Sequence, residues 1–210
     1  MTNNNMKNCL IVFTRYPEPG KTKTRLIPVL GAEGAANLHR QLTETVITQV
    51  KELQDVLIEV HFTGGNQQLM QAWLGENLTY KQQSEGDLGR RMTTAFQTAF
   101  NNGIEKVVII GSDCPALQSQ LIEEAFAALF QHELVLGPAT DGGYYLIGLK
   151  RLIPELFTGV NWGTSEVLHQ TVEIAESLKL TVAYLTTLSD VDRPEDLEIL
   201  DFKPQHADNR

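Results

Sequence analysis

Apolar residues along the chain fall into two rhythms, and their alternation predicts the architecture. Cys9 to Phe13 (CLIVF) and Val107 to Ile110 (VVII) are short continuous apolar runs, the pattern of strands buried on both faces. Val56 to Phe62 is β-branched and closed by Gly64-Gly65, which predicts another strand, and Leu78 to Gln82 a weaker one. Between these lie helical spacings. Ala36, Leu38, Leu42, Val46, Val50 and Leu53 mark a helix over 33–53, and Gln67 to Leu74 a short one. Asp87 opens a third, whose stripe is Leu88, Met92, Ala95, Phe96, Ala99 and Phe100 and whose stop is Gly103. Helices are also expected over 119–130 and 164–178, a late strand over 181–185, and a closing helix over 194–200 with Pro194 in its first turn.

Strands that alternate with helices predict an α/β fold with a mainly parallel sheet. Leu134 to Leu136 and Tyr144 to Leu149 break that rhythm, because only the turn-rich Asp141-Gly142-Gly143 region separates them. Two strands without a helix between them pair antiparallel, so the sheet is expected to be mixed. No repeat, low-complexity tract or linker interrupts the 210 residues, which read as one domain over 1–210 with an ordered core at about 8–202 and a frayed polar tail from Lys203.

Charge narrows the partners. The formal net charge of -9 argues against a nucleic-acid polymer, which requires a basic footprint. Yet Arg15, Lys21, Lys23 and Arg25 crowd one short stretch against a single acid, Glu18, which suits a small anionic ligand. Two cysteines, Cys9 and Cys114, make no disulfide framework. The polar start has no signal-peptide pattern, and no run reaches the roughly 18 apolar residues of a membrane span. A cytoplasmic protein without membrane contact is the expectation.

Candidate chemistry follows the strands. Pro17, Pro19 and Gly20 make a loop after the first strand, in which Gly20 allows close backbone approach and Lys21, Lys23 and Arg25 can neutralise phosphates. It is not a Walker A loop, since no glycine stands five positions before Gly20. A solvated basic loop is the plainer alternative. Asp113, in Gly111-Ser112-Asp113-Cys114-Pro115, follows a buried strand and could ligate Mg²⁺ or Mn²⁺, or simply cap the next helix. Asp141 with its two glycines either receives a substrate or makes a hairpin turn. Asp192, ahead of Pro194, could be only an N-cap, and Trp162 either lines a pocket or is packed. Gly86 and Gly89 flank a helix start where an anion could sit, with Arg90 and Arg91 beside it as ligands or ordinary surface charge. The five histidines lack metal spacing, and no GxSxG or Cys-His pattern is present.

Taken in order, six stretches resemble the nucleotide-diphospho-sugar transferase superfamily, and more closely the bacterial arsenosugar-type glycosyltransferases. That group is related to the molybdenum-cofactor and F420-precursor nucleotidyltransferases. The stretches are PEPGKTKTRL (17–26), GDLGRRM (86–92), GSDCP (111–115), PATDGGYYLIGL (138–149), NWGTSEVL (161–168) and DVDRPEDL (190–197). The resemblance implies a three-layer α/β/α sandwich of glycosyltransferase-A type with a nucleotide on its N-terminal half. It implies that Arg15, Lys21 and Arg25 contact phosphates; Gly20, Lys23, Gly86 and Arg90 are the further candidates from the loop and helix-start readings above. Asp113 would hold a divalent metal, completed by Asp192, while Asp141, Tyr144 and Trp162 face the acceptor. The chain departs from the Asp-x-Asp pattern of glycosyltransferases, since Gly111 stands where the first acid would be.

The expected reaction is metal-assisted transfer of a sugar from a nucleotide-diphosphate donor to a small acceptor, with Asp141 as general base and Glu166 as second choice. Two alternatives remain open. One is nucleotidyl transfer from a triphosphate to a phosphorylated small molecule with pyrophosphate release. The other is a non-catalytic nucleotide-binding protein. Oligomeric state has no signature in the sequence.

Overall fold

The structure, a computed structural model, describes residues 7–200. The seven strands are β1 (Asn8–Arg15), β2 (Val56–Thr63), β3 (Thr79–Gln82), β4 (Lys106–Ile110), β5 (Leu134–Pro138), β6 (Tyr144–Leu149) and β7 (Val182–Tyr184). The helices are α1 (Ile27–Val50), α2 (Gln67–Leu74), α3 (Leu88–Asn101), α4 (Ser119–Ala128) and α5 (Val167–Ser177). All strands join one sheet in the order β3-β2-β1-β4-β6-β5-β7. Every pairing is parallel except the two made by β6, which runs antiparallel to both β4 and β5. The mixed sheet expected from the helix-free connection is therefore present. The last residues of the expected core, 201–202, and the tail lie outside the described residues.

Alternation along the strands assigns each side chain to a face. Leu10, Val12, Val60, Val108 and Ile110 pack with α1, α2 and α4 through Val46, Val50, Met70, Ile122 and Ala125. Cys9, Ile11, Val107, Ile109 and Ile147 pack on the other face with α3 and α5 through Met92, Phe96 and Ala175. Burial on both faces explains why the central strands read as unbroken apolar runs. Helix starts follow their caps. Asp87 Oδ1 accepts from the Arg90 N–H at 2.8 Å, and Asn66 Oδ1 from the Leu69 N–H at 2.9 Å.

The larger differences from the sequence reading are in the helices. α1 begins at Ile27 rather than Glu33 and is broken at Gly31, whose φ of 70° is non-helical; Pro28 is tolerated because it sits in the first turn. α5 begins at Val167, because Gly163 at φ 80° bends the chain ahead of it. The closing helix is a 3₁₀ segment, Pro194–Leu200, and another 3₁₀ turn, Pro154–Phe157, had no periodicity to announce it.

β1 has β2 on one side and β4 on the other, so the chain changes direction across the sheet at β1. Loops after β1 and β4 then leave a crevice at the strands' carboxyl ends, the place where open α/β sheets hold ligands.

Candidate functional site

The crevice is built by loops from distant parts of the chain, fastened to one another by buried groups. Behind the basic loop, Leu26 is fully buried against Leu38, Leu42 and Val191, which folds residues 16–26 back onto α1. His39 Nε2 donates to the Arg15 carbonyl at 2.9 Å, and the Val191 N–H donates to the Asp113 carbonyl at 3.1 Å. A buried chain of hydroxyls, Thr14, Thr43 and Ser112, links β1 to α1 and to the Asp113 loop at 3.0–3.2 Å. Burial holds the His39 imidazole below its ordinary pKa, so at neutral pH it is an uncharged donor.

Charges converge in front of this scaffold. Lys23 Nζ lies 2.5 Å from Asp113 Oδ2 and 3.6 Å from Asp192 Oδ1, with its side chain only 3% exposed. Arg25 Nη1 pairs with the other oxygen, Asp192 Oδ2. Burial works against the charge on Lys23, but Asp113 outweighs it and raises the pKa of the ammonium. Burial likewise opposes the Asp113 carboxylate, and Lys23 overcomes it, so the pKa of Asp113 is depressed. Asp190 forms no salt bridge among the described residues: burial, Asp141 and Asp113 raise its pKa against the weaker pull of Lys23.

Two cavities meet at these charges. The first, of about 470 Å³, is lined by Arg15, Lys21, Lys23 and Arg25 together with Gln83 and Arg91. The second, of about 410 Å³, is lined by Asp141, Asp190, Tyr144, Tyr145 and Trp162. Arg25, Leu88, Asp113 and Asp192 line both. Trp162 is held by α3: a Cβ at Gly89 would come within 2.6 Å of its indole nitrogen, so only glycine lets the ring lie there.

Most residues singled out from the sequence thus come together, and some do not. Lys21 lines the first cavity but also pairs with Glu18 at 2.7 Å. Asp141 lines the second, yet its Oδ1 accepts from the Gly143 N–H at 2.8 Å, so the turn reading and the pocket reading both hold. Glu166 is exposed at the N-cap of α5 and lines neither cavity. Gly20, at φ 80°, shapes the loop without lining either cavity. Gly86 makes room for Arg90, whose Cδ would be 2.7 Å from an added Cβ, and neither residue lines a cavity.

Arg91 takes the place expected of Arg90. Its Nε is buried without a hydrogen-bond partner, and it forms no salt bridge among the described residues. Helical spacing carried the signal, since Arg91 stands three residues after Leu88, which also faces the cavity. Gln83 is another cavity residue not assigned from the sequence, as are Asp190 and Tyr145. Gln83 Nε2 donates to the carbonyls of His61 at 2.9 Å and Thr14 at 3.3 Å, which leaves its amide oxygen as the remaining polar group.

Among the described residues no cluster of three or more His, Cys, Asp or Glu side chains is arranged to hold a metal. Asp113 and Asp192 nevertheless converge on one point, marked by the Lys23 ammonium. An all-oxygen pair of this kind fits Mg²⁺ or Mn²⁺, which are commonly held by one or two carboxylates together with substrate phosphates. Among the described residues no helix is long and apolar enough to cross a membrane.

Comparison with known proteins agrees with this geometry. Residues 46–164, over half of the chain, match the family DUF2064, described as an uncharacterized protein conserved in bacteria. No curated protein matches the sequence. A crystal structure of a candidate nucleotide-diphospho-sugar transferase from Desulfovibrio desulfuricans G20 superimposes with a TM-score of 0.89 at 35% identity, over 96% of this chain and 89% of that one. A more distant fold is 4-diphosphocytidyl-2C-methyl-D-erythritol synthase from Anaerococcus prevotii (TM-score 0.61, 12% identity, 93% of this chain and 95% of that one covered). Another is glucosyl-3-phosphoglycerate synthase from Mycobacterium tuberculosis, solved with Mn²⁺, uridine diphosphate and glucosyl-3-phosphoglycerate (TM-score 0.55, 13% identity, 93% and 75% covered). The α/β fold with its seven-stranded mixed sheet is the nucleotide-diphospho-sugar transferase fold.

Proposed function

The chain belongs to the DUF2064 family, and from the form of its crevice we propose that it is a metal-assisted transferase. In this reading it moves a sugar from a nucleoside-diphosphate donor to a small acceptor. The observation that carries the proposal is the pair of cavities sharing Arg25, Asp113 and Asp192: one rimmed by cations, the other walled by aromatics and carboxylates. A donor diphosphate bound at the shared edge would hold its sugar at the entrance to the second cavity.

Each residue then has a task. Arg15, Lys21, Lys23, Arg25 and Arg91 would bind the donor and offset the charge that develops on the leaving diphosphate. Asp113 and Asp192 would hold Mg²⁺ or Mn²⁺, which supplies Lewis-acid stabilisation of that charge. Trp162 and Tyr144 would wall the acceptor site, and Asp141 would take the proton of the acceptor hydroxyl. Glu166 has no part in this scheme, because it is absent from the lining of both cavities.

The test is a thermal-shift panel of nucleotides and nucleotide sugars with and without Mn²⁺, followed by product analysis. A ligand at 100 times its dissociation constant adds about 2.7 kcal/mol of stability. Metal-dependent stabilisation by a diphosphate sugar, with release of nucleoside diphosphate, supports sugar transfer. Turnover that survives in Asp141→Asn but not in Asp113→Ala removes Asp141 from the scheme. A second reading, nucleotidyl transfer, is favoured by Gly111 in place of the first acid of Asp-x-Asp; pyrophosphate release on mixing with a triphosphate would establish it instead.

A further inference from the structure

We propose that Lys23 is the resident counter-cation of the Asp113–Asp192 pair and sets the order of binding. A divalent ion takes these carboxylates only when phosphate groups draw the lysine away. This rests on the reading of Asp113 and Asp192 as metal carboxylates.

The argument starts from the four carboxylate oxygens. Asp113 Oδ2 and Asp192 Oδ1 face the Lys23 ammonium at 2.5 and 3.6 Å, and Asp192 Oδ2 is paired with Arg25. The remaining oxygen, Asp113 Oδ1, lies 3.5 Å from Ser112 Oγ. Three of the four oxygens thus face a cation of the protein itself, and Asp113 Oδ1 has only a distant hydroxyl. A dication that bridges both carboxylates would be placed against an ammonium that already bridges them through Asp113 Oδ2 and Asp192 Oδ1. One of the two cations has to leave.

Lys23 is the one able to leave, but not unaided. Its side chain is almost wholly buried, so departure without a new anion would strand a charge away from its partner. The first cavity offers the alternative, since Lys23 lines it along with Arg15 and Lys21. A phosphate there can accept the ammonium, whose flexible stem and three donors suit such a transfer. Metal and phosphate are thereby coupled, each binding more tightly in the presence of the other.

The test measures metal uptake rather than turnover. Free Mn²⁺ is followed by electron paramagnetic resonance with the full chain, Mn²⁺ alone being the probe. Lys23→Met is expected to bind Mn²⁺ at least tenfold more tightly than the unmodified protein, and Lys23→Met/Asp113→Asn to lose that gain. Equal or weaker binding by Lys23→Met overturns the role given to Lys23 and leaves the metal reading intact. Failure of both forms to take up Mn²⁺, with or without pyrophosphate, overturns the metal reading and the proposal together. Should circular dichroism show Lys23→Met unfolded, the unmodified protein decides the matter through the ¹⁵N-correlated signal of the Lys23 ammonium. Mg²⁺ alone is expected to leave that signal in place, and Mg²⁺ with pyrophosphate to shift it. A signal unmoved by both, or moved by Mg²⁺ alone, refutes the coupling.

Discussion

Arg91→Met separates a ligand contact from a structural one. Lys21 is paired with Glu18, Lys23 with Asp113 and Asp192, and Arg25 with Asp192. Arg91 lines the same cavity with a buried Nε that has no partner. An unsatisfied buried donor costs about 1–3 kcal/mol, and methionine keeps the apolar stem while removing it. The variant is therefore expected to be at least as stable as the parent in urea denaturation. Binding should move the other way. A hydrogen bond to a charged group contributes about 1.5–3 kcal/mol, so affinity should fall roughly 10- to 150-fold. Isothermal titration with whichever of UDP, GDP, CDP and ADP the parent binds reads this directly. A variant that loses stability while its affinity is unchanged would show that Arg91 supports the fold and not the ligand.

The remaining predictions concern the scaffold and the acid response. Leu26→Ala, at a fully buried position behind the basic loop, should cost about 2–5 kcal/mol; hydrogen exchange should rise over residues 16–26, and unchanged exchange there would remove Leu26 as the anchor. Gly142→Ala should destabilise clearly more than Gly20→Ala. Both have positive φ, but only at Gly142 does the added Cβ fall 2.2 Å from the Ser165 carbonyl oxygen. Gly111→Asp should fold normally and bind Mn²⁺ more tightly, because a Cβ there meets nothing nearer than Asp113 Oδ1 at 4.0 Å; loss of folding in thermal melts would contradict it. Burial opposes the Glu59 carboxylate, but His61 at 2.9 Å and Lys81 at 2.6 Å overcome it and lower its pKa from 4.5. Its contribution is therefore complete above pH 4.5 and lost as pH falls through the lower folded value. Glu59→Gln should flatten the stability–pH curve in that acid range, and an unchanged acid limb would count against the pairing.

Local pattern was enough for the elements, because a strand buried on both faces and a helix buried on one leave their periods in contiguous residues. Cys9 to Phe13 and Val107 to Ile110 were legible for this reason, as was the antiparallel return of 134–149. Where a segment lacked a period, as in Pro154–Phe157, or changed helix type, as in Pro194–Leu200, the reading stopped short. Candidate site residues were legible as motif members after strands. Their partners were not, and Glu166 and Arg90 show the consequence: each lies one residue from a side chain that does line a cavity, Val167 and Arg91.

What the chain order determined by itself was the α/β alternation, the mixed sheet and the crowding of cations after the first strand. Tertiary structure alone decided that β1 lies between β2 and β4 and that Arg25 meets an aspartate 167 positions away. It also decided that Lys23 is spent on two carboxylates while Arg91 is left without one. Periodicity is a property of neighbours along the chain, whereas ion pairing depends on which loops the strand order brings to the same end of the sheet.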